Sequence, residues 1–298
     1  MFPRQMLFRQ LRAARPLASR VPRRAYSPSP KRVLSSRFLQ GLSLGVAGGL
    51  TFALFGKFAQ WAGVQAEPLD EFARADVELQ PPTDAPPFPP TVAINKTPFL
   101  AVATGVRTVT FLNFHVYAVG LYIADADIAV ARKILRAAAA EAGVASAPDF
   151  AQLLGTPERG APVIDELLRA GVRLAVRIVP TRNTDFPHLR DGFVRSVTNH
   201  PEAKQLQSPE FGQSIGEIKK AFGRKRKLRK GEVVTWARDV TGGMTAWFGD
   251  SDEHKELLGS LPDADVARLF FLQYLTGKKP NSPTLKAHAM AGLAAIAA

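Results

Sequence analysis

The sequence predicts an α+β fold built on a mainly antiparallel sheet. Two β-prone segments, residues 99–111 and 114–123, follow one another across a two-residue turn. Amphipathic helical patterns come next, then a second pair of short alternating segments, then helices again. Strands grouped with strands and helices with helices favour antiparallel pairing over repeated βαβ units.

Taken in order, residues 126–142 form an Ala-rich helix, and residues 163–169 belong to a second that Gly171 ends. Residues 172–179 alternate as a strand. Asp185 is placed to cap a helix that carries Phe186, Leu189, Phe193 and Val197 on one face. Another helix spans 209–222. Residues 232–240 and 244–248 make a hairpin about Thr241, Gly242 and Gly243, and residues 265–276 and 283–296 are again helical.

This folded part is preceded by segments of different composition. Eleven of the 39 basic residues precede Glu67, the first carboxylate, which leaves 28 basic residues against all 26 acidic ones beyond it. The formal charge of +13 is therefore a property of the N-terminus. The nearly neutral remainder gives no support to a nucleic-acid partner. Residues 1–36 are rich in Arg, Ser and Ala and free of acid, the composition of a mitochondrial transit peptide. Residues 37–57 hold an uncharged run between Arg37 and Lys57, about 27 Å long as a helix, which predicts one transmembrane span. Gly41, Gly45 and Gly49 would give that helix a smooth face for pairing. Charge bias sets its basic side in the matrix of an inner-membrane protein and the following domain in the intermembrane space. Residues 58–90 read as a linker ending in PPTDAPPFPP, extended and without a packed core, and residues 91–298 as the domain.

The chain has no cysteine, which excludes disulfides, thiolate metal sites, iron–sulfur clusters and thiol nucleophiles. Asp250, Asp252, Glu253 and Glu256 lack a metal-ligand spacing. The run RKRKLRK, residues 224–230, is a solvated connection or a contact for anionic lipid headgroups.

One residue stands against its surroundings. Arg107 lies in GVRTVTFLNFHVYAVGLYI, and strand alternation puts it on one face with Val109 and Phe111. On the next strand, alternation groups His115, Tyr117, Val119 and Leu121. A guanidinium among apolar side chains needs an anion or several acceptors. The pattern admits an anchor for an anionic ligand or an ion pair with a remote carboxylate.

ATGVRTVTF followed by FHVYAVGLYI resembles the first hairpin of chalcone isomerase and its relatives, and the likeness continues through VRLAVRIVPTRNTDFPHLRDGFVRSV and LFFLQYLTGKKPNSPTLKAHAMAGL. Together with the presequence, it resembles the fungal mitochondrial branch of chalcone isomerase-like proteins, the altered-inheritance-of-mitochondria group. The resemblance implies an open-faced β-sandwich, a curved antiparallel sheet backed by helices, with a cleft between sheet and helices. It implies that Arg107 and Tyr117 hold the family's catalytic positions, Tyr117 standing where isomerases have a threonine. Phe186 stands where they have a helix tyrosine, and Phe193 near their asparagine. Phenylalanine donates no hydrogen bond. The resemblance thus implies a cleft that binds a carboxylate-bearing apolar ligand, a fatty acid or a porphyrin such as haem, lined by Arg107, Tyr117, Phe186, Phe193 and His115. For haem, His115 or His188 would approach the iron. The other reading it leaves is an isomerase, an intramolecular lyase acting on an unknown enone.

Overall fold

The computed structural model describes residues 79–109, 114–206 and 208–298. The expected transit peptide, transmembrane span with its Gly41, Gly45 and Gly49 face, and linker up to residue 78 lie outside them. Among the described residues, no helix is long and apolar enough to cross a membrane.

Seven strands form one curled antiparallel sheet in the order β1-β2-β3-β4-β7-β8-β9. They are β1 (Thr91–Ile94), β2 (Thr97–Val109), β3 (Phe114–Ala124), β4 (Leu174–Pro180), β7 (Val234–Arg238), β8 (Met244–Phe248) and β9 (Glu256–Leu261). A separate ribbon pairs β5 (Thr184–Asp185) with β6 (Lys227–Leu228). The helices are α1 (Ile128–Glu141), α2 (Ala147–Gly155), α3 (Pro157–Arg169), α4 (Phe186–Thr198), α5 (Pro209–Ala221), α6 (Ala264–Leu275) and α7 (Pro283–Ala297). Side chains such as Val119, Leu121, Ile123, Val176, Ile178 and Trp236 leave the sheet on one face and pack into the main core with the helices. Ala118, Tyr122, Ala124, Ala175 and Val179 leave on the other and form a smaller core. The two faces follow directly from the period of two in strands.

Caps set the helix positions. Asp185 accepts from the His188 N–H at the start of α4, as its place in the sequence predicts, and Ser208, Asp263 and Ser282 do the same for α5, α6 and α7. Four elements depart from the sequence reading. β1 is four residues long and too short to show a period, while β9 is written ELLGSL, half polar because it is the sheet edge. Ser146 caps α2, which was not expected, and α3 begins at Pro157, six residues before the expected start, with Pro162 tolerated inside it.

The segment 81–90 also departs from expectation. It is extended, yet it is packed: Phe88 and Ala85 are buried on the outer face of the sheet. Gly120 explains the contact. A Cβ there would come within 2.8 Å of the Phe88 ring, so the missing side chain is the space the ring fills. The Tyr122 hydroxyl donates to the Pro89 carbonyl at 3.0 Å, the Ala101 N–H donates to that of Pro90 at 2.9 Å, and Lys230 pairs with Asp84.

Candidate functional site

A cleft of about 490 Å³ lies between the ends of β2 and β3 and helix α4. Val109 and Val116 form its sheet wall, Leu189 and Phe193 its helix wall, and Arg107, Tyr117 and Ser196 its polar lining. Arg182, Asn183, Thr184, Asp185, His188, Gly192 and Arg195 complete the lining.

A bulge decides which side chains of β3 enter it. Arg107 pairs with Tyr117 and Thr108 with His115, so Val116 is an extra residue in β3. Val116 and Tyr117 both line the cleft, and His115 does not. Strict alternation had put His115 beside Tyr117; the inserted residue reverses its face. His115 instead lies near Asp84 of the outer strap, and its carbonyl accepts from Thr181 Oγ1 at 3.0 Å.

Arg107 is half-buried, and none of the ion pairs among the described residues includes it. Its Nη1 donates to Asn281 Oδ1 at 2.6 Å and to the Asn281 carbonyl at 3.1 Å. Asn281 is itself held, because its Nδ2 donates to Ser196 Oγ at 2.9 Å, and that hydroxyl donates to the Gly192 carbonyl at 2.8 Å. The loop between α6 and α7 thus hands two acceptors to the guanidinium, and α4 fixes the loop.

Beside Arg107 lies the Tyr117 hydroxyl, 2.8 Å from that of Tyr274 on α6. Burial pushes both phenols above their ordinary range, although Arg107 opposes the shift at each. Both are therefore neutral at physiological pH and able to donate. The cleft holds Arg107 without a carboxylate partner among the described residues, the neutral Tyr117 phenol backed by Tyr274, and apolar walls, a set suited to an anionic head on an apolar body.

The other predicted site residues fall elsewhere. Phe193 lines the cleft and also joins an aromatic cluster with Phe222, Trp236 and Phe270. Phe186 does not line it; it is fully buried against Phe222 and Phe248, under the Arg226 guanidinium. His188 is at the cleft rim with its side chain 81% exposed, 4.0 Å from Asp185. Tyr274, Asn281 and Ser196 were not anticipated. Only Ser196 left a signal, as a hydroxyl on the apolar face of a capped helix, three residues after Phe193. Among the described residues no group of His, Asp or Glu is arranged to hold a metal ion. Asp252 instead accepts from the N–H groups of Asn95 and Lys96, and Glu256 pairs with Arg224 and Arg226.

The chain matches the family described as chalcone isomerase like over residues 97–290. It is 32% identical over 273 residues, 89% of this chain and 90% of the relative, to altered inheritance of mitochondria protein 18, mitochondrial, of Debaryomyces hansenii. It is 33% identical over 211 residues, 67% of this chain and 69% of the relative, to the protein of the same name in Eremothecium gossypii. Among solved structures it is similar to an Arabidopsis thaliana fatty-acid binding protein, with a TM-score of 0.53 over 70% of this chain and 94% of that one, at 16% identity. At that identity the likeness speaks for the fold.

Proposed function

The chain belongs to the chalcone isomerase-like family, and from that membership we propose that its cleft binds a fatty acid whose carboxylate is anchored by Arg107. The observation that carries this reading is a half-buried guanidinium with no carboxylate partner among the described residues, set next to neutral phenols at the end of an apolar cleft. The named binding activity of the Arabidopsis neighbour agrees with it. Tyr117 donates the second hydrogen bond to the carboxylate, while Val109, Val116, Leu189 and Phe193 receive the chain.

A porphyrin fits less well. His115 points away from the cleft, and His188 is on the exposed rim, so no histidine is held inside it to meet an iron. The isomerase reading retains one favourable observation, the neutral hydroxyls of Tyr117 and Tyr274 beside a cation, which are the kind of donors that stabilise a developing oxyanion.

Titration with dodecanoate and melting of the ligand-free protein test the anchor. A charge-assisted contact is worth about 1.5–3 kcal/mol, so Arg107→Ala weakens binding by about one to two decades with a near-parental melt. Unchanged affinity sinks the reading; a visible spectrum with a Soret band or turnover of chalcones by the parent protein would select one of the others.

The acid-free presequence and the mitochondrial names of the yeast relatives support a mitochondrial location. The proposed topology is a span at 37–57 in the inner membrane with the domain in the intermembrane space. Protease access after outer-membrane rupture tests it, and digestion only after the inner membrane is opened would place the domain in the matrix.

A further inference from the structure

The run at residues 224–230 is not an isolated tail. Its β6 residues pair with β5, Lys227 opposite Asp185 and Leu228 opposite Thr184, and the Lys230 N–H donates to Asn183 Oδ1 at 3.0 Å. Asn183, Thr184 and Asp185 line the cleft mouth, with Arg182 before them and Arg195 about two and a half turns along α4. The ribbon therefore joins the basic run to the mouth as one edge.

Some of these cations are neutralised: Arg224 and Arg226 share Glu256, Lys230 has Asp84, and Arg190 has Asp191. Others are not. Lys225, Lys227, Arg229, Arg182 and Arg195 are exposed, and none forms an ion pair among the described residues. At the same mouth Phe114 is 48% exposed, with the Arg182 guanidinium 5.8 Å from its ring centre. A core-sized aromatic ring left open beside unpaired cations, on a chain otherwise close to neutral beyond residue 57, is a local asymmetry of both charge and polarity. Cations bind the headgroups of an anionic leaflet, and an aromatic ring is stable at its interface.

We infer that this edge docks the cleft mouth on an anionic phospholipid bilayer. The charge complementarity and the exposed ring select a bilayer over an acidic protein, which would offer the ring no apolar layer. The purpose of docking, transfer of an acyl chain into the cleft, rests on the fatty-acid reading above; the docking itself does not.

The absence of cysteine makes a single-label experiment direct. The full chain carries a polarity-sensitive dye at Arg229→Cys, or at Ala170→Cys, exposed just before β4 at the end opposite the cleft. Each is combined with vesicles of phosphatidylcholine alone or with phosphatidylglycerol added. Docking gives a blue shift at position 229 only, with phosphatidylglycerol only, and reversed by high salt. Adding Lys225→Glu and Lys227→Glu lowers the docked-to-undocked ratio by at least about 30-fold, the usual worth of two basic residues near an anionic leaflet, with repulsion of the new carboxylates added. An equal response at both positions, a response to phosphatidylcholine alone, indifference to the reversals, or binding of polyglutamate without a lipid response each overturns the inference. A lipid response in a protein that fails to bind dodecanoate would remove the fatty-acid reading and leave the docking surface standing.

Discussion

Arg107 donates through one nitrogen to both oxygens of Asn281, so the site's cation is positioned by a neutral residue. An amide accepts a hydrogen bond without cancelling the charge, which leaves the guanidinium's field for a ligand. Asn281→Asp would supply the carboxylate that the site lacks. The expected outcome is a fall in dodecanoate affinity of about 10–100-fold with an unchanged or raised melting temperature, because the new internal pair both occupies Arg107 and repels the ligand head. Asn281→Ala is expected to lower both, the stability by about 1–2 kcal/mol, since Ser196 and Arg107 each lose a partner. Calorimetric titration and thermal melts on the two variants separate these effects.

Tyr117 and Tyr274 satisfy each other, so removing one hydroxyl leaves the other buried with a partner fewer. Tyr117→Phe is expected to cost about 2 kcal/mol and Tyr274→Phe about 1, the difference arising because Arg107 still serves Tyr117. The double variant should cost no more than Tyr117→Phe alone. Denaturant unfolding of the four proteins gives the coupling directly, and additive losses would show that the hydroxyls do not depend on each other.

Alkaline pH probes the same pair. Burial raises the phenols of Tyr117, Tyr122 and Tyr274 above the ordinary value of 10.0. A raised acid contributes stability that is complete below its unfolded value and is lost as pH climbs above 10 toward the folded one. Absorbance titration is expected to show these three phenols ionising only together with unfolding. Reversible ionisation of all three near pH 10 in the folded protein would contradict their burial.

How far the sequence made this site legible depends on how local each signal is. The β2–β3 hairpin and the cap at Asp185 are local patterns, and the structure keeps them, with Arg107 and Tyr117 paired across that hairpin. His115 misled because a single inserted residue, Val116, inverts the alternation, and composition does not announce a bulge. Tyr274 and Asn281 stand more than 150 residues from Arg107 and lie in an apolar helix and a short loop, so only the tertiary fold brings them together. Phe186 is a helix-face residue whose period fixes burial but not which cavity lies nearby; it entered the aromatic core instead.

Two glycines set the distance at which α7 lies on β2. A Cβ at Gly105 would come 2.3 Å from the Leu285 nitrogen, and one at Gly292 would come 2.2 Å from the Val102 carbonyl. The obstacle is backbone in both cases and does not yield like a side chain. Gly292→Ala is expected to cost at least about 2 kcal/mol, and Gly105→Ala to move the start of α7 with its Asn281 loop. A Gly105→Ala protein that folds yet binds dodecanoate normally would show that the loop position does not matter to Arg107.

Phe88 makes the proline-rich segment part of the fold. Its ring is 3% exposed over Gly120 and Tyr122, so Phe88→Ala is expected to cost about 3 kcal/mol, near the low end for a buried phenylalanine. A chain trimmed to begin at Thr91 should melt below one that begins at Leu79. Equal melting would mean that the strap rests on the sheet without supporting it.

Arg268 on α6 carries an acid-sensitive tie between helices. Its side chain is 4% exposed and donates to Asp165 of α3 and Glu202 at 2.6 Å each, and to Asp265 at 3.1 Å. Burial raises the Asp165 carboxyl, but hydrogen bonds from Arg169 and Arg268 outweigh that and hold it below its ordinary value of 3.8. A depressed carboxyl contributes stability that is present above the unfolded value and is lost as pH falls through the folded one. Arg268→Met is therefore expected to cost about 2–3 kcal/mol at pH 7, less than a fully buried pair because the three carboxylates remain partly in water. Below pH 3.8 the parent loses this contribution while the variant loses only the part that Arg169 supplies to Asp165, so the gap between their unfolding midpoints should narrow. Denaturant melts from pH 7 to pH 2 measure it, and a gap that stays constant would place the role of Arg268 in packing rather than in charge.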